Sequence, residues 1–288
     1  MTKLSVLGAI RFAYGFVLEQ IGAIIGLVWL PLVIVAILQF LPYAIGTAYP
    51  SGDPSQESGA TALNLAFSTA ALVLYAMNCV SVTRQALGLR QGTASIHFAL
   101  GWPEWRMFVA TVICGLILVA ALGIYVMIGT ALFSAAQATP LLAYLAGAYV
   151  IVGLFAVAWV ILRFFFLLPP IVVVEEHVNF ARAWMLSKGN YWRLLLIVLA
   201  VTVPLLIVQS VAIALIVGPG LFAPLPQNAA AMSAALQLRM AMIDRHMPSM
   251  IGLALVLAPF SLGLVLGASS YGYRTLVPSP SANRPPQQ

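Results

Sequence analysis

Long apolar stretches separated by short polar segments are the dominant pattern of this chain. Several of them reach 20 residues or more with no interior charge, which is long enough for an α-helix to cross the roughly 30 Å hydrocarbon layer of a bilayer. The pattern therefore predicts an all-α, polytopic integral membrane protein with about six transmembrane helices. We place these helices at residues 21–46, 60–83, 107–133, 141–162, 194–218 and 248–272.

Composition supports this class and excludes a water-soluble fold. Hydrophobic residues make up 62% of the 288 residues and charged residues only 7%, whereas about a quarter of a soluble domain is charged. The formal net charge of +6 is not that of a nucleic-acid-binding protein, because the basic residues stand singly between apolar stretches. We expect no nucleic-acid partner.

The scattered cations indicate the orientation of the chain. If the N-terminus is inside, eleven Lys and Arg residues fall in cytoplasmic segments and two on the other side. The positive-inside rule then predicts that both termini are cytoplasmic. No short apolar core with a small-residue cleavage site precedes the first span, so we expect no cleaved signal peptide. We assign residues 1–277 to the membrane domain and 278–288, rich in proline and polar residues, to a disordered cytoplasmic tail.

Two cytoplasmic segments end alike and indicate an internal repeat. Residues 101–106, Gly-Trp-Pro-Glu-Trp-Arg, precede span 3, and residues 189–193, Gly-Asn-Tyr-Trp-Arg, precede span 5. Each follows a stretch predicted to be helical, 93–100 and 175–188. A third copy is predicted at the N-terminus, with a polar stripe at Arg11, Gly15 and Glu19. The predicted units, each an interfacial helix plus two membrane helices, are 1–83, 84–162 and 163–277.

The segment from residue 163 to residue 194 carries the most specific pattern. The pair Pro169-Pro170 predicts the end of span 4. From near Val174, apolar residues at positions 174, 178, 181 and 185 predict an amphipathic helix at the cytoplasmic interface. Arg163 is expected there as a membrane anchor, a partner of Glu175 or Glu176, or a contact to lipid phosphate. The predicted contacts to lipid headgroups or to a partner are Arg163, Arg182, Lys188, Trp192 and Arg193.

The same segment resembles a known family. Along the chain, the segment contains Arg163, then apolar residues and proline, then Val-Glu, then Ala-Trp, and finally Ser-Lys-Gly-Asn-Tyr-Trp-Arg-Leu. This is similar to the membrane domain of bacterial glycerophosphodiester phosphodiesterases and to related stand-alone inner-membrane proteins of unassigned function. The motif positions are Glu175, Trp184, Gly189 and Asn190. The resemblance implies a bacterial inner membrane, and the family's soluble catalytic barrel has no counterpart in this sequence.

No pattern in the chain indicates catalysis, a metal or a cofactor. Glu175, Glu176 and His177 are consecutive, so on a helix they point in different directions, and His97 and His246 are predicted on opposite sides of the membrane. No serine, histidine or acid stands in a nucleophile motif. We therefore predict a protein that is not an enzyme and has no cofactor.

Polar and small residues inside the spans allow two interpretations each. Pro31, Pro204 and Pro259 are expected to break spans 1, 5 and 6, or to be tolerated by neighbouring partners. The glycine pairs 22/26 and 263/267 predict close helix contacts, within the bundle or between subunits. Residues 229–246, which contain several methionines, predict a helix that caps the bundle or lies on the membrane surface. Four polar side chains within the spans are expected either to line a polar path or to join helices by hydrogen bonds. They are Gln39, Asn64, Asn78 and Gln209.

Two function classes remain. The favoured one is a non-catalytic inner-membrane module that organises lipid or a partner protein at the cytoplasmic face, with membrane lipids, a membrane protein or a second copy as partners. The alternative is a carrier or channel for a small or amphipathic molecule, weakened because no carboxylate lies deep in a span. A closed apolar interior would favour the module, and a continuous polar cavity reaching Asn64, Asn78 or Gln209 would favour transport.

Overall fold

The computed structural model describes residues 3–48, 54–90, 100–136, 139–224, 226 and 228–277. Within these ranges all regular elements are helices, and six of them are long and apolar enough to cross a membrane. The chain is therefore a multi-pass, all-α membrane protein, as predicted. The helices are α1 (Val6–Ala48), α2 (Pro54–Ala86), α3 (Trp102–Ala136), α4 (Pro140–Phe164), α5 (Leu168–Val174), α6 (Phe180–Ser187), α7 (Tyr191–Val217), α8 (Ala229–Arg245) and α9 (Met247–Leu276).

The long helices pack as an antiparallel bundle with two chemically different ends. Helix α1 packs against α2, α7 and α9, and α3 packs against α2 and α4. Helices α1, α3 and α7 begin at one end of the bundle, and helices α2, α4 and α9 finish there. We call this the basic end and the opposite one the far end. Helix α8 lies at the far end and carries Arg239 and Arg245. The cations at the basic end are Lys3, Arg11, Arg84, Arg90, Arg106, Arg163, Arg182, Lys188, Arg193 and Arg274.

Close packing of α1 on α9 depends on two glycines. A Cβ atom at Gly263 would lie 2.7 Å from Val17 Cγ2, and one at Gly267 would lie 3.0 Å from Phe16 Cδ1. The predicted contact at the 263/267 pair is therefore confirmed inside the bundle. Gly22 differs, because a Cβ there would meet no atom of the described residues within 4 Å.

Helix α1 begins at Val6 rather than at residue 21, so the first span is longer than predicted. Its N-terminal part buries Ala13, Phe16 and Val17, while Arg11 and Glu19 are exposed. The predicted polar stripe thus lies on the outer side of a bundle helix. This helix departs from helical geometry at Gln20 (φ −120°, ψ 17°), whose Oε1 accepts a hydrogen bond of 2.7 Å from Gln85 Nε2.

The prolines inside the spans do not interrupt their helices, so of the two alternatives the structure agrees with the tolerated proline and not with the broken helix. Helix α1 continues through Pro31, α7 through Pro204 and α9 through Pro259. Proline removes one backbone donor, and a membrane helix tolerates the loss when neighbouring groups bond the freed carbonyl.

Two further predictions in the segment after span 4 are corrected. Helix α4 ends at Phe164, five positions before the double proline, and Pro169 and Pro170 instead lie in the first turn of the buried helix α5. A continuous helix from near Val174 is also wrong, because Glu176 has a left-handed backbone (φ 54°).

Helix α6 starts only at Phe180, where the Asn179 side chain caps it by accepting a hydrogen bond of 2.9 Å from the Arg182 backbone N–H. The predicted apolar face therefore does not form. Val174 and Met185 are exposed, and the buried positions of α6 are Ala183 and Ser187.

Some predictions fall wholly or mostly outside the described residues, namely the tail 278–288 and the interfacial stretch 93–100. The helix predicted over 229–246 is confirmed as α8. Its Met232 and Met240 are 40% and 61% exposed, so these methionines do not pack as a cap on the bundle.

Candidate functional site

Arg163 in the last turn of α4 lies against two tryptophans. Its guanidinium carbon lies 4.6 Å from the Trp159 ring centroid and 4.2 Å from that of Trp184, and the two rings meet edge to face at 5.0 Å. Trp159 precedes Arg163 by one helical turn, and Trp184 comes from α6. Because the two ring centroids are only 5.0 Å apart and the rings are perpendicular, both lie on one side of the cation and form a corner around it, an arrangement worth about 0.5–2 kcal/mol. The guanidinium is planar and carries its N–H donors at its edge.

The carboxylates nearest to Arg163 in the sequence bind other arginines. Glu175 Oε1 accepts hydrogen bonds of 3.1 Å from Arg182 Nε and of 3.1 Å from the Tyr273 hydroxyl. Glu176 lies 3.6 Å from Arg106 Nη1. The predicted pairing of Arg163 with Glu175 or Glu176 is therefore wrong, because both glutamates bind other arginines. The Nε atom of Arg163 is buried and has no hydrogen-bond partner within the described part of the chain.

The Glu175 carboxylate joins three parts of the basic end. It follows α5, pairs with α6 through Arg182 and reaches α9 through Tyr273. His177 Nε2 also lies 3.9 Å from this carboxylate. Arg182, predicted as a headgroup contact, is thus used within the protein.

The turn before α7 fixes the start of the chain. Gly189 has φ 79°, a left-handed conformation that glycine adopts without steric cost. The buried Asn190 then accepts a hydrogen bond of 3.1 Å from the Leu4 backbone N–H through Oδ1. Arg193 Nη1 donates a hydrogen bond of 2.8 Å to the Leu4 carbonyl, so this predicted contact also has an internal partner.

Two predicted contact residues remain on the surface of the basic end. Lys188 is exposed just after α6, and Trp192 is 68% exposed. Trp105, which has the position equivalent to Trp192 in the predicted repeat, is 47% exposed. Exposed tryptophans near a cluster of cations are typical of the level of lipid headgroups.

A separate cavity opens between α1, α2 and α9. Its volume is about 610 Å³ and its lining includes Gln39, Asn64 and Asn78. We call it the far cavity, because Gln39 and Met247 place it toward the far end. Three of the four polar side chains predicted to line a path therefore do line one cavity. Gln209 does not, since it is exposed on the outside of α7.

Sequence reasoning missed several residues of these sites. Trp159 was detectable, because it stands four positions before Arg163 on the same helix face. Tyr273 and Leu4 had no local signal, since they reach Glu175 and Asn190 only through tertiary packing. The described residues contain no group of three or more His, Cys, Asp or Glu side chains able to hold a metal ion.

No protein-family model, no curated protein and no solved structure matches this chain. The resemblance to the membrane domain of glycerophosphodiester phosphodiesterases therefore stays a prediction from residues 163–194.

Proposed function

We propose that the protein is a non-catalytic membrane module that organises anionic lipid at its basic end, with Arg163 as the contact to the phosphate. The observation that carries this proposal is the state of Arg163. Trp159 and Trp184 lie against its guanidinium, and its carboxylate neighbours bind other cations. Within the described residues, no carboxylate pairs with Arg163, and its buried Nε atom has no hydrogen-bond partner.

The physical argument rests on the cost of an unpaired donor. A buried hydrogen-bonding group without a partner costs about 1–3 kcal/mol, and more when it is charged. A lipid phosphate that accepts from the guanidinium edge would offset this cost, because arginine binds phosphate through parallel N–H donors. The neighbouring exposed Trp192 and Lys188 suit the depth of a headgroup.

The proposed setting is the inner membrane of a bacterium, with the basic end and both termini in the cytoplasm. The positive-inside rule supports this orientation, since the cations concentrate at one end of the bundle. A membrane protein or a second copy of the chain is the other partner we propose for the same face.

The test compares lipids that stay with the protein when it is extracted directly from membranes in polymer discs. We expect wild-type protein to be enriched in anionic lipid over the bulk membrane, and Arg163→Gln to reduce this enrichment about tenfold, as loss of a charged hydrogen bond implies. Arg182→Gln is the matched control, because Arg182 is already bonded to Glu175. Unchanged enrichment in Arg163→Gln, or an equal loss in both variants, would refute the proposal.

The second candidate is a carrier or channel for a small or amphipathic molecule. The far cavity favours it, because the bundle interior is not closed and the cavity reaches Asn64 and Asn78. Buried α5 argues against an open channel, since it packs against α2, α3 and α9 at the basic end. Flux of an amphipathic dye into liposomes that contain the protein, measured against empty liposomes, tests this candidate.

A further inference from the structure

We propose that the far cavity is a binding site for an amphipathic molecule with an uncharged polar head that donates a hydrogen bond to Asn78. This site is distinct from Arg163 and does not depend on the lipid contact at the basic end. It also does not require that the protein transport what it binds.

The size and shape of the far cavity suit a small amphiphile. Its volume of about 610 Å³ lies within the range of roughly 300–1,000 Å³ typical of ligand sites. On α2 its lining follows helical spacing from Asn64 to Asn78, which is a length of about 21 Å at 1.5 Å per residue. The cavity is therefore an elongated groove along one face of α2.

Asn78 supplies the recognition group at the inner end of this groove. The residue is only 1% exposed, and its Oδ1 atom has no hydrogen-bond partner among the residues that the structure describes. A buried amide oxygen without a donor costs free energy that a ligand hydroxyl or amide N–H would recover. The side chain thus selects a ligand whose polar head is a donor.

The remaining lining decides the charge and the body of the ligand. The lining residues in the described part of the chain include no charged side chain, so a charged head would be desolvated without a counter-charge. Leu32, Phe67 and Leu72 line the groove between its polar ends and suit an alkyl or ring body. We therefore exclude anionic and cationic amphiphiles from this site.

The inner boundary of the groove indicates the direction of entry. Tyr75 borders the far cavity and also a smaller cavity of about 200 Å³, which Leu168 and Pro169 of α5 close toward the basic end. Both of these α5 residues are buried. A ligand therefore enters with its head first, from the far end or from the bilayer beside it.

The test uses three chain-matched probes in polymer discs: 10-bromodecanol, 10-bromodecanoate and 10-bromodecyltrimethylammonium. Phe67→Trp places a fluorophore in the groove, and bromine quenches tryptophan on contact. We expect saturable quenching by the alcohol beyond that in protein with Phe67, and only linear quenching by the two charged probes. Asn78→Leu should weaken the alcohol's affinity about tenfold, and Gln209→Leu, the same change on the exposed face of α7, should leave it unaltered.

A second variant covers the case in which Asn78→Leu does not fold. Ala71 lines the groove near its middle, and Ala71→Leu should abolish saturable quenching by filling the space while leaving every polar group in place. The inference is overturned if the charged probes saturate as the alcohol does, if quenching never saturates, or if neither groove variant changes it. None of these results bears on Arg163, so the two proposals fail independently.

Discussion

The two adjacent glutamates after α5 provide a direct test of how the basic end is held together. Glu175 is 18% exposed in its side chain and accepts hydrogen bonds from both Arg182 and Tyr273. Glu176 is 75% exposed and lies 3.6 Å from Arg106. Changing each to glutamine removes one negative charge at almost the same point of the sequence, so the pair differs mainly in burial and bonding.

The expected magnitudes differ because of that burial. Glu175→Gln keeps an oxygen for Tyr273 but leaves Arg182 without its carboxylate. Breaking a charge-assisted hydrogen bond costs about 1.5–3 kcal/mol, and because the Arg182 side chain is about a third exposed (34%), we discount this to about 1–2 kcal/mol of unfolding free energy. For Glu176→Gln we expect little measurable loss, since exposed ion pairs contribute about 0–1 kcal/mol.

The assay is unfolding of purified protein in mixed micelles with increasing denaturing detergent, followed by helical circular dichroism. A double-mutant cycle with Arg182→Gln should give a coupling of about 1 kcal/mol for Glu175. Equal destabilisation by the two glutamine variants, or a coupling energy near zero, would refute the role of Glu175 as the joint between α5, α6 and α9.

Three further predictions concern packing, the chain start and orientation. Gly267→Leu should destabilise the protein by about 1–3 kcal/mol by pressing on the Phe16 ring, whereas Gly22→Leu, at a position where a Cβ meets no described atom within 4 Å, should be nearly neutral in the same unfolding assay. Arg193→Gln should speed amide hydrogen exchange near Leu4, read by mass spectrometry, without lowering anionic-lipid enrichment; unchanged exchange would contradict the tether. Fluorescent-protein fusions at either terminus should be bright inside bacterial cells, and a dark fusion at either end would reverse the proposed topology.

The fold class was predictable because the thickness of the hydrocarbon layer sets the length that an apolar stretch needs to cross it as a helix. Helix ends were less predictable. The first helix starts at Val6, because its N-terminal part buries Ala13 and Phe16 against α9. That burial depends on Gly263 and Gly267 of α9, which lie about 250 residues further along the chain. A local sequence pattern does not reveal so distant a contact.

The residues of the candidate site were predictable from the sequence, but their hydrogen-bond partners were not. The sequence placed Arg163, Arg182 and Arg193 among aromatics, and all three do lie at the basic end. Their different roles depend on Glu175, which Arg182 binds, and on the Leu4 carbonyl, which Arg193 binds. The partner that each arginine binds depends on tertiary contacts of about 3 Å. Residue spacing along one segment does not determine these contacts.

The central claim is that the edge of the Arg163 guanidinium binds a lipid phosphate. The most direct measurement is an experimental structure of the full chain in discs that contain anionic lipid, at a resolution that shows headgroups. The account predicts phosphate density within hydrogen-bond distance of Arg163, with Trp159 and Trp184 still in contact with its guanidinium. A guanidinium edge bonded to Glu175 or Glu176, or one that faces only acyl chains, would contradict it.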